Sequence, residues 1–142
     1  MPNTVILRGD PVRREDRATG VITPGHLIEF ASNDRLQVHS TSGGGAARMF
    51  ALECDYIGDP VTEAYAADDR IPYADCAPGD IVWAHLASGQ NVARGDYLMS
   101  NGSGALTAQT GSNFRCAQAD EDANASTGIA AAGTLRFRAR VV

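Results

Sequence analysis

The chain has 142 residues, 44% of them hydrophobic, and a formal net charge of −5. That length holds one domain with a core of its own, and the acidic balance excludes a general nucleic-acid binder, which needs surplus cations to hold phosphate. All twelve basic residues are arginine, so a biotin or lipoate carrier, which must modify a lysine, and a Schiff-base enzyme, which must react through one, are excluded too.

Only 6% of residues are aromatic while glycine numbers 15, a balance that fits short strands and many turns better than helices. Cys54, Cys76 and Cys116 form no C-x-x-C pair and have no histidine at ligand spacing. They are expected to be small, reduced, buried residues with no metal. Met1 to Gly9 lacks the apolar core of a secretory leader and no run approaches membrane-spanning length, so a soluble protein made in a cytoplasm is expected.

Taken in order, Thr4 to Arg8 is a short apolar β-type run, and Val12 to Gly20 is rich in charge with almost no apolar anchor. Residues 1–20 read as an extended arm whose apolar run either joins the domain's own sheet or adds a strand to a partner's. Residues 21–142 read as a single β domain. Thr23-Pro24-Gly25 is a turn, His26 to Phe30 alternates like a half-buried strand, and Leu36, Val38 and Arg48 to Glu53 extend the sheet. Ser40 to Gly45 is a flexible loop without the lysine of a phosphate cradle.

Between Glu53 and Asp80 eight carboxylates face one cation, Arg70, which reads as a long acidic loop over the surface. Pro78 to Leu106 then reads as a β-meander, with turns at Pro78-Gly79-Asp80 and Ser88-Gly89-Gln90 and a hairpin closed by Asn101-Gly102. Phe114 to Gln118 is a further strand. Asp120, Asp122, Asn124 and Ser126 alternate like a calcium loop, but Ala125 and Ala131 stand where such a loop needs Gly and Glu. Thr134 to Val142 is a strand with Leu135, Phe137, Ala139 and Val141 on one face and Arg136, Arg138 and Arg140 on the other. Three like charges on one face need neighbouring carboxylates or an acidic partner.

No catalytic constellation is legible. His26, His39 and His85 form no H-x-H or H-E-x-x-H pair, and Gly102-Ser103-Gly104 lacks the frame of a nucleophile elbow. Arg8-Gly9-Asp10 and Arg94-Gly95-Asp96 copy an adhesion tripeptide and are better explained as turns that end strands.

The order of these pieces, ITPGHLIEF, ARMFALE, YAADDRI, PGDIVWAHLASGQNVARGDYLMSNGSGALT, FRCAQA and LRFRARVV, resembles the small capsid decoration, or cement, proteins of tailed bacteriophages over nearly the whole chain. The resemblance implies an all-β fold, a compact β-barrel or β-sandwich with an extended N-terminal arm and a long acidic loop. It implies a non-enzymatic homotrimer on the outer surface of the virion capsid at three-fold positions, clamping the expanded head against packaged DNA. The expected partners are the phage major capsid protein and the chain itself, with no direct contact to nucleic acid, no membrane and no cofactor. Val5, Ile6, Leu7, Arg8, Arg13 and Arg14 are the expected capsid-binding residues, and Arg136, Arg138 and Arg140 the expected subunit or capsid contacts. The rival reading is a virion-displayed carbohydrate- or receptor-binding β-module, in which Tyr65, Tyr73 and Trp83 would line an exposed groove.

Overall fold

A computed structural model describes residues 3–126 and 134–142. In chain order its strands are β1 (Ile6–Arg8), β2 (Val12–Arg17), β3 (Ile28–Phe30), β4 (Leu36–Val38), β5 (Met49–Ala51), β6 (Arg70–Asp75), β7 (Ile81–Ala87), β8 (Asn91–Val92), β9 (Tyr97–Ser100), β10 (Leu106–Ala108), β11 (Ala117–Ala119), β12 (Ala123–Asn124) and β13 (Thr134–Val141). A 3-10 turn at Asp55–Ile57 interrupts them, and no helix among the described residues is long and apolar enough to cross a membrane.

Strands β7, β10, β9, β11 and β13 hydrogen-bond in that order, and β13 returns to β7, so the sheet closes into a five-stranded barrel. The closing ladder is the longest in the molecule, running from Thr134↔Ala87 to Arg140↔Ile81. The alternation read in the tail holds: Phe137, Ala139 and Val141 are fully buried inside the barrel. A barrel of so few strands leaves a narrow interior, which small residues (Ala84, Ala117, Ala119, Ala139) share with large ones (Val82, Leu86, Leu98, Leu106, Phe137).

A second, smaller core lies beside the barrel under β2, β6 and β5 and the β3–β4 hairpin. It gathers Ala18, Ile22, Ile28, Leu36, Met49, Ala51, Cys54, Tyr65, Ile71 and Tyr73. The three cysteines are buried and unpaired.

Of the two alternatives for the N-terminal apolar run, the structure takes the first: β1 joins the domain's own sheet by pairing with β7 (Ile6↔Val82, Arg8↔Ile81), and the charged segment after it, read as part of an arm, is strand β2, paired with β6 along its full length. Its charges are met locally instead of by burial, with the Tyr73 hydroxyl donating to Asp16 at 3.1 Å, Arg70 facing Glu15 at 3.9 Å and Arg13 facing Asp55 at 3.9 Å. A backbone ladder holds a strand that has no apolar face of its own. The acidic stretch is not all loop either, because β6 is the middle strand of its sheet and Ile71, Tyr73 and Ala74 are fully buried. Finally, Pro78 to Leu106 is not a simple meander: β10 lies between β7 and β9, pairing parallel to β7 at Leu106↔Leu86, while β8 leaves to pair with β12.

The predicted turns at Thr23, Pro78 and Arg94 share one construction. In Thr23–His26, Ala77–Asp80 and Ala93–Asp96 the fourth residue's N–H donates to the first residue's carbonyl. The first residue's N–H donates back to the fourth side chain, His26 Nδ1 at 3.2 Å, Asp80 Oδ2 at 2.9 Å and Asp96 Oδ2 at 2.9 Å. The third position is Gly25, Gly79 or Gly95, at φ of 94°, 99° and 99°, where a side chain would be strained. The Asp96 carboxylate of the Arg-Gly-Asp sequence is therefore engaged inside its own turn.

Candidate interaction surface

The expected contact residues divide by burial. Val5 is fully buried; its N–H donates to Glu53 Oε2 at 2.9 Å and its carbonyl accepts from the Trp83 N–H at 2.7 Å. Ile6 packs against the barrel core. Val5 is thus an internal residue of this fold, while Ile6 is half-buried. Leu7 is half-buried, and Arg8, Arg13 and Arg14 are exposed, with the Arg14 guanidinium 5.7 Å from the Tyr73 ring centroid.

The arginine face of β13 divides in the same way. Arg138 and Arg140 are exposed; Arg138 pairs with Glu121 at 3.4 Å, and Glu121 also accepts the Arg138 backbone N–H at 2.8 Å. Arg136 is half-buried, donating to the Val61 carbonyl at 2.7 Å and the Trp83 carbonyl at 3.5 Å. Burial lowers its pKa, and the buried Glu53 carboxylate acts in the opposite sense. Arg136 thus acts as a structural cation, tied to carbonyls of two residues of the barrel core, Val61 and Trp83. Gly25 makes room for it: a Cβ there would lie 2.6 Å from the Trp83 carbonyl oxygen and 2.9 Å from Arg136 Nη1.

Beside Arg136 stand His26 and His85, their ring centroids 4.6 Å apart. His85 Nε2 donates to the Pro24 carbonyl at 3.0 Å, which leaves Nδ1 to accept from Thr134 Oγ1 at 2.6 Å. His26 Nδ1 accepts from the Thr23 N–H. Both rings are held neutral by these bonds. Burial first and Arg136 second lower the His26 pKa to about 4. Burial, then His26, then Arg136 lower that of His85 to about 3. This pair supports the fold; sequence spacing could not show it, because the two histidines are brought together only when the Thr23 turn docks on β7.

The Asp120–Ser126 stretch has its oxygens engaged by protein groups. Arg94 Nη2 contacts Asp120 Oδ1 at 3.4 Å and the Arg94 N–H donates to Asp122 Oδ1 at 2.9 Å. Among the described residues no group of three His, Cys, Asp or Glu side chains is placed to hold a metal; Ala131 of the calcium-loop comparison lies outside the described residues. The aromatic groove of the rival reading is absent: Tyr73 and Tyr65 are buried, Tyr65 donating to the Leu52 carbonyl at 2.6 Å, and Trp83 packs against the barrel core.

Three of the exposed guanidiniums come together around one end of the barrel. Arg8 on β1, Arg94 in the 93–96 turn and Arg138 on β13 line a common cleft with Leu7, Ile81 and Asp120. Sequence reading had marked Arg8 and Arg138 and missed Arg94; its one signal was a turn sequence that places an arginine at an exposed corner.

No family model matches the chain, and no curated protein matches it in sequence. Among solved structures, the chain is similar to the N base of head fiber gp8.5 in bacteriophage phi29, with a TM-score of 0.59 at 12% identity over 92% of this chain and 93% of that one. At that identity the likeness is one of fold, and the two chains share it over almost their whole lengths.

Proposed function

We propose that this chain is a structural protein of a tailed-bacteriophage head, a homotrimer on the outside of the expanded shell that bridges neighbouring shell subunits and acts without catalysis. The observation that carries the reading is the fold shared over 92% of the chain with a phage head fiber base. The sequence resemblance to decoration proteins points to the same location on independent grounds. A small barrel whose last strand pairs with β7 from Thr134 to Arg140 is suited to a mechanical role, since forced opening must break that ladder together.

On this reading the contact residues are Arg8, Arg13, Arg14, Arg138 and Arg140. The stabilising effect comes from several modest contacts engaged at once, which multiplies a weak single-site affinity. The test is cosedimentation of the purified protein with expanded heads of the phage that encodes it, followed by a reconstruction of the decorated heads. Density for the barrel at local three-fold positions is the expected result; absence of the protein from the head fraction overturns the reading. Light scattering should give a mass near three times 14.9 kDa, and a monomer at micromolar concentration would refute the trimer.

A further inference from the structure

We propose that the cleft between β1, the Arg94 turn and β13 receives the carboxylates of an extended acidic segment of the shell protein. This rests on the phage-head reading above and names the chemistry of the partner. The cleft has a volume of about 350 Å³ and is lined by three guanidiniums, Arg8, Arg94 and Arg138, and one carboxylate, Asp120, with Glu121 beside it on Arg138. The chain as a whole is acidic, at −5, so this is a local reversal of sign.

The intramolecular pairs leave most of those guanidinium donors open. Arg94 meets Asp120 at 3.4 Å with its side chain 72% exposed, and Arg138 meets Glu121 at 3.4 Å while 47% exposed. These are long, solvated contacts of small net worth. Arg8 has no ion pair among the described residues. Each guanidinium presents a planar fork of N–H donors that matches a carboxylate in bidentate fashion. The half-buried Leu7 and Ile81 supply an apolar wall at which such pairs would be partly shielded from water.

The shape of the ligand follows from the sheet. β7 lies between β1 and β13, so the cleft spans three neighbouring strands, a width of about 10 Å that an extended segment can cross, reaching Arg8 on one side and Arg138 on the other. Duplex DNA fits poorly, because the surrounding acidic surface repels a long polyanion while a short acidic peptide reaches only the cationic cleft.

The test compares binding to expanded heads for the wild type, Arg8→Gln/Arg94→Gln, Glu121→Gln and Arg35→Gln. Removing two exposed arginines should weaken binding by about tenfold or more. Glu121→Gln, which keeps an acceptor for the Arg138 N–H but removes the competing charge, should tighten it. Arg35→Gln, on the distant β3–β4 hairpin, should leave it unchanged. Titration with acetylated hexaglutamate should shift the Arg94 and Arg138 side-chain N–H resonances. Wild-type binding retained by Arg8→Gln/Arg94→Gln overturns the cleft and leaves the head reading standing. Failure of the wild type to bind heads overturns the head reading instead, and hexaglutamate then decides the cleft alone: no shift at Arg94 and Arg138 refutes it. Preference of the same arginines for duplex DNA over hexaglutamate also refutes it.

Discussion

Mild acid should loosen this fold through His26 and His85, and the size of the effect follows from their surroundings. In the unfolded chain each titrates near its ordinary value of 6.5; in the fold they are depressed to about 4 and about 3. A depressed histidine binds its proton in the unfolded state first, so stability is full above pH ~6.5 and falls as the pH drops toward the folded values. At about pH 5 each ring contributes a loss of about 2 kcal/mol, about 4 kcal/mol for the pair if they act independently. For a domain of this length that corresponds to a melting temperature lower by roughly 10–15 °C than at about pH 7.5. The carboxylate Glu29, whose folded pKa is lowered by Ser40 and Gln37 hydrogen bonds that outweigh burial, loses its contribution only below its ordinary value of 4.5 and so falls outside this window. Urea unfolding followed by Trp83 fluorescence between about pH 7.5 and 5 measures the slope. His85→Gln should remove about half of it and His26→Gln/His85→Gln nearly all, whatever either does to stability at neutral pH. A wild-type slope unchanged in the double variant would refute the reasoning.

Phe137→Ala, at a fully buried barrel position, should cost about 3–5 kcal/mol by urea unfolding. Gly25→Ala forces a Cβ at φ 94° against the Trp83 carbonyl and Arg136, and should destabilise by about 1–3 kcal/mol, readable as a lower melting temperature. Deleting residues 1–8 removes Val5 from the core and strips the Glu53 carboxylate of its Val5 N–H. The truncated chain should melt well below the intact one, with a buried carboxylate left without that donor; an unchanged melting curve would restore the free-arm reading.

The β class, the turns and the inward face of the tail were legible because each is a local matter. A period of two in Leu135, Phe137, Ala139 and Val141, or a glycine before an aspartate, acts over a few residues. Strand β2 was illegible for the opposite reason. Val12–Arg17 has no apolar face to announce a strand; β6 holds it by backbone hydrogen bonds and by Tyr73, Arg70 and Asp55, which lie far along the chain. Tyr65 and Tyr73 sit in an acidic stretch that looks solvated, and the second core that buries them exists only once β2, β5 and β6 assemble.

The same division applies to the arginines. The sequence by itself determined that the chain is acidic overall, that its cations are all guanidiniums, and that three of them share one face of the last strand. Only the tertiary structure decided their parts, because burial and partners depend on what the barrel closure brings alongside. Arg136 was drawn inward to the Val61 and Trp83 carbonyls, while Arg138 was left at the rim with Arg8 and Arg94, residues that meet only when β1, the 93–96 turn and β13 surround one end of the barrel.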